Sequence, residues 1–134
     1  MKHYLPLVFC LASALPAQIT LLPRGCSQPL WVTLSPTRAQ IGKTWSAAIG
    51  SGDVLRVGDY YWVGVGLSDP NTPLLGCRLR VTVIWEYPAT PPSYSVWMDI
   101  PNDPALVGVS FYCQAFRYKP PIELSDGYKI TIEH

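Results

Sequence analysis

The sequence is short of histidine, of charge and of long apolar runs, and each shortage narrows what the chain can do. Its two histidines are His3 and His134, at opposite ends. A Ser-His-Asp or Cys-His nucleophile system therefore has no plausible internal base. A zinc site, which draws on clustered Cys and His, has nothing to build on either. Charged residues make up 14% of the chain, and they are scattered: Arg78, Arg80, Arg117 and Lys119 stand among Asp53, Asp59, Asp69 and Glu86. No face reads as an electrostatic footprint for nucleic acid or anionic lipid. Periodic runs of helix formers are scarce. The 14 prolines, 10 glycines and 12% aromatics instead favour short strands joined by tight turns.

One apolar stretch stands out. "MKHYLPLVFCLASALPAQ" places Lys2 before a run from Leu5 to Leu15, followed by the small residues Ala14 and Ala17. That is the layout of a secretory signal peptide, and the run falls short of the roughly 20 residues a membrane-spanning helix needs. Cleavage is expected after Ala17, with Ala14 offering a competing site, which leaves a single β domain over residues 18–134. Removing residues 1–17 takes away Lys2 and no acid, so 10 basic residues become 9 against 9 acidic ones. The mature chain is formally neutral, with no further segment suited to membrane insertion.

Of the four cysteines, Cys10 lies in the signal segment, leaving Cys26, Cys77 and Cys113. One must stay unpaired within the chain. Cys26 and Cys77 each follow a glycine at the edge of an expected strand, whereas Cys113 sits inside the apolar string "VSFYCQAF". In an oxidising compartment the Gly-Cys sites are the expected pair and Cys113 a small buried hydrophobe, with the two pairings that use Cys113 left open.

Strand candidates recur at intervals typical of an antiparallel β-sandwich of Greek-key or immunoglobulin-like type. They are "LWVTLS" (30–35), "KTWSAAI" (43–49), "YYWVGVGLS" (60–68), "RLRVTVIWEY" (78–87), "YSVWMDI" (94–100), "VSFYCQAFRY" (109–118) and "YKITIE" (128–133), about seven in all. In the fourth, Leu79, Val81, Val83 and Trp85 share one face, so all four are expected inside. In the third, Gly64 and Gly66 oppose the apolar face, leaving room for a neighbour to come close. "SDPNTP", "YPATPPS" and "YKPPIELSDG" carry turn chemistry. "DIPNDPALVGV" reads as a corner where the chain crosses between sheets, its prolines barring ladder bonds and Leu106 and Val107 plugging the end of the core.

"IPNDPALVGVSFYCQAF" and "LSDGYKITI", preceded by "AQIGKTW", "VGLSD" and "LLGCRL", resemble an uncharacterised secreted β-sandwich module that recurs in extracellular proteins of large-genome Gram-negative bacteria. The resemblance spans about residues 25 to 133, and the corner is its most specific part. It implies a fold and an extracellular bacterial location but no activity. It also implies a linked pair of Gly-Cys sites, in agreement with Cys26 and Cys77, and an ordinary apolar residue where Cys113 stands.

Three sets of site candidates remain. Paired carboxylates could perform glycoside hydrolysis, with Asp99 and Asp103 or Glu86 as the candidates, but a sandwich this small has little room for a deep cleft. Asp99, Asn102 and Asp103 have the spacing of calcium ligands, although a turn capped by its own side chains is the plainer reading. Tyr87, Tyr94 and Trp97, with Trp85, flank the proline-rich turn. Tyr87 and Tyr94 are the rings expected to be exposed as a stacking platform for sugars, and Trp85 the one expected to be buried. The expectation is thus a secreted, non-enzymatic structural or protein-interaction module without cofactor or resident metal, whose partner is another protein or a second copy. A carbohydrate-binding module is the alternative.

Overall fold

A computed structural model describes residues 18–26, 32–50, 60–118 and 122–134. The expected signal segment and most of the "GSGD" turn lie outside the described residues. Among these residues ten strands form: β1 (Ile19–Leu22), β2 (Thr33–Pro36), β3 (Thr44–Gly50), β4 (Tyr60–Gly66), β5 (Thr72–Leu74), β6 (Cys77–Leu79), β7 (Trp85–Ala89), β8 (Ser95–Asp99), β9 (Ser110–Tyr118) and β10 (Glu123–Thr131). They make an antiparallel five-stranded sheet in the order β1-β10-β9-β4-β7, a three-stranded sheet β2-β3-β8 and a hairpin β5-β6. The all-β, sandwich-like class is as expected, with ten strands in place of seven.

The inner faces of the two larger sheets enclose the main core. Period-2 alternation sends Leu34, Trp45, Ala47, Ile49 and Val96 in from the three-stranded sheet. Tyr61, Val63, Val65, Phe111, Cys113, Ala115 and Ile130 meet them from the five-stranded one. Trp45 and Phe111 bridge the sheets edge to face, their ring centroids 5.2 Å apart. Cys113 is fully buried, and burial pushes its thiol up to about 12. Cys26 and Cys77 form the disulfide, which leaves Cys113 as a core residue.

The largest departure from expectation concerns residues 78–87. They do not form one strand. β6 ends at Leu79, residues 80–84 cross the outer face of the five-stranded sheet as an irregular strap, and β7 begins at Trp85. The strap lies over the glycines of that face. A Cβ on Gly66 would collide with the Thr82 carbonyl, one on Gly64 would come within 2.8 Å of Val83 Cγ2, and one on Gly127 would meet Arg80 Cβ. The side chain of Gln114, itself fully buried, reaches up from β9 to hold the strap: Oε1 accepts from Arg80 N at 2.9 Å, and Nε2 donates to the Arg78 and Ser125 carbonyls. Val81 of the strap packs onto Phe116 and Leu124 to make a second apolar cluster, with Trp62 stacked on Phe116 at 4.2 Å. The alternation at Leu79, Val81 and Val83 is real, but it faces the outside of a sheet. Trp85 lies beyond that contact and is exposed.

"LSDG" is likewise not a turn. Ser125 and Asp126 form a bulge inside β10, where the register with β9 shifts between Leu124 and Gly127. Ser125 Oγ accepts from Ala115 N, and Asp126 Oδ1 accepts from Arg24 N, so both polar side chains are used locally.

Candidate functional site

The corner between β8 and β9 does cross from one sheet to the other. Asp103 caps a one-turn 3-10 helix, Pro104–Leu106, by accepting from Ala105 N at 3.0 Å. The corner is tied back to the sandwich by Gly108 N donating to the Ile132 carbonyl and Ile132 N to the Val109 carbonyl. Leu106 is half-buried against the core, while Val107 is exposed, so of the two expected plugs only Leu106 packs inward.

The corner does not seal the sandwich. It forms one wall of an open groove of about 250 Å³ between the ends of the two sheets. Val65 and Leu67 line it from the end of β4 and beyond, Trp85 from the start of β7, and Met98 through Pro101 from the end of β8 and the residues after it. Leu106, Val109, Phe111 and Ile132 complete it. Its rim is apolar and open to solvent: Leu67, Trp85 and Val109 are exposed, as are Ile84 and Val107, close to them in the chain. Among the described residues the one ionisable group lining it is Asp99, whose Oδ1 accepts from Thr44 Oγ1 at 2.7 Å. The volume falls below the roughly 300 to 1,000 Å³ usual for small-molecule sites. It suits one or two apolar side chains.

The aromatic platform is not assembled as expected. Tyr94 is buried, its ring edge-to-face with Tyr61 at 5.4 Å, because a left-handed backbone at φ 49° turns it inward. Tyr87 is half-buried against the main core. Trp97 is 58% exposed on β8 and Trp85 46% exposed at the groove, which reverses the expectation for Trp85. Of the remaining candidates, Glu86 is exposed on β7, and Asp99 and Asp103 are each engaged by the donors named above. Asn102 packs against Gly42. Among the described residues no group of three or more His, Cys, Asp or Glu is placed to hold a metal ion, and no helix is long and apolar enough to cross a membrane.

The groove itself was missed in the sequence because its walls come from five separate segments. The one local signal is Leu67, an apolar residue just past the end of a buried strand, where a turn-former would be ordinary. Comparison with known proteins finds no matching family model, no matching curated protein and no matching solved structure.

Proposed function

We propose that the protein is a secreted, non-enzymatic structural or interaction module of the bacterial cell envelope or extracellular space, working through protein contacts. The observation that carries this reading is the groove, an apolar recess with an exposed apolar rim, whose size and chemistry match a protein side chain better than a metabolite. A sugar needs several hydrogen-bonding groups converging on its hydroxyls. The groove supplies one carboxylate, already engaged by Thr44. The Cys26–Cys77 disulfide supports an oxidising compartment, and the signal-like segment supports export.

A photo-cross-linking residue at Trp85, in protein expressed by its own host, should give a discrete protein adduct that Leu67→Asp abolishes. The N-terminus of the exported protein should read from Gln18. Retention on a polysaccharide that is lost on replacing Trp97 and Trp85, with no protein adduct, would establish the carbohydrate reading instead.

A further inference from the structure

Each of the two larger sheets has two outer strands, and they are not equally protected. β2 carries Pro36, and β7 carries Pro88, which has no N–H to offer. β1 is four residues long, and with Thr131 N bonded to the Gln18 carbonyl it turns only Ile19 and Leu21 outward. β8 has neither proline nor lysine. Its pairing with β3 fixes which groups face out: Ile100 N donates to the Lys43 carbonyl and Ile49 N to the Tyr94 carbonyl, so residues 94, 96, 98 and 100 are bonded inward. Ser95, Trp97 and Asp99 therefore turn N–H and C=O away from the sheet, and no other strand among the described residues is hydrogen-bonded to them. Such a row is a template for another strand.

We infer that β8 pairs with β8 of a second copy, antiparallel about a two-fold axis at Trp97, joining two three-stranded sheets into one of six strands. The edge is self-complementary in that register. Trp97 faces its own counterpart, and Ser95 faces Asp99, so the three outward residues of each copy meet as hydrogen-bonded pairs and about six backbone bonds form across the axis. The only charge on the strand, Asp99, meets a serine and not its own copy, which avoids a like-charge pair. Val96 and Met98 keep their inward positions, while the exposed Trp97 ring gains a neighbouring ring. The edge shares only Met98 and Asp99 with the groove, and the pairing does not depend on what the groove binds.

The test is register-specific. In a hydrogen-bonded antiparallel pair the two Cα atoms lie about 5.5 Å apart, within disulfide reach. In a Cys113→Ala background, Trp97→Cys should oxidise to a covalent dimer, whereas Ser95→Cys should not, since the two copies of residue 95 sit four residues out of step. Sedimentation of the untagged mature protein should show a concentration-dependent dimer, and Trp97→Arg should weaken it at least tenfold while the far-ultraviolet spectrum stays unchanged. A protein that remains monomeric at several hundred micromolar, as it would if β8 accepted only a foreign strand, overturns the proposal. Equal cross-linking by Trp97→Cys and Ser95→Cys overturns it as well.

Discussion

The two faces of the five-stranded sheet are covered in different ways. On the inner face large apolar side chains from β4, β9 and β10 meet those of a second sheet, and stability scales with the area they bury. On the outer face the sheet presents glycines and a glutamine beside Trp62 and Phe116, and what covers the glycines is largely a piece of backbone. The inner arrangement tolerates exchange among apolar shapes of similar volume. The outer one tolerates no added atom at the contact but depends less on which apolar residues surround it. One sheet thus carries two kinds of specificity: volume on one side, close approach and hydrogen bonding on the other.

The contrast can be broken from either side. The largest effect should come from Trp45→Ala, which empties the inner core beneath Phe111 and strands the Thr37 carbonyl that accepts from the indole N–H. We expect a loss of about 3 to 5 kcal/mol in denaturant melts, with the whole domain affected. Gln114→Leu, which conserves volume, should still cost about 2 kcal/mol, because it leaves the Arg80 N–H and the Arg78 and Ser125 carbonyls without their side-chain partner. If Gln114→Leu proves neutral or stabilising, the outer layer is held by apolar burial after all. Gly66→Ala should cost about 1 to 3 kcal/mol by overpacking, but with a local signature. Hydrogen exchange should rise at Arg80, Thr82 and Ile84, the strap donors, while β9 and β10 stay protected.

How far the sequence could be read follows the same divide. Strands β3, β4, β8 and β9 lie within two residues of their expected bounds, because each sends an apolar residue to the core at every second position. Gly64 and Gly66 correctly signalled a close approach. What approached was not legible: period-2 alternation at Leu79, Val81 and Val83 says that one side of the segment is buried, not whether it meets the inside of a sandwich or the outside of a sheet. Tyr94 misled because a ring beside prolines is ordinarily exposed, and only the left-handed backbone there turns it inward. The groove depends on segments brought together from across the chain, and a pattern confined to one segment carries no trace of it.

The smallest effect sharpens the inner side of the comparison. Cys113 should resist alkylation at pH 8 until the domain unfolds, since burial keeps it a thiol there. The sign of the pH dependence follows. Its folded value lies above the ordinary 9.0, so it takes nothing from stability below pH 9, and its contribution falls away as pH rises towards about 12 and the unfolded thiol ionises. Wild type and Cys113→Ala should therefore respond alike to pH up to 9 and diverge above it, the wild type losing more. Ready labelling of native protein at pH 8 contradicts this.

The pairing of β1 with β10 joins segments more than a hundred residues apart: Ile19 stands opposite Ile130, and Leu22 opposite Gly127. A chain made from its N-terminus presents β1 long before β10, its sheet partner among the described residues. For the whole of that interval the leading strand has nothing to pair with, and closing so long a loop is among the slowest steps a small β protein faces. Synthesis and the closure of this sheet are thereby coupled in time. β1 waits on β10, and a chain stalled or clipped before β10 leaves not a smaller sandwich but an unpaired strand open to whatever edge it meets.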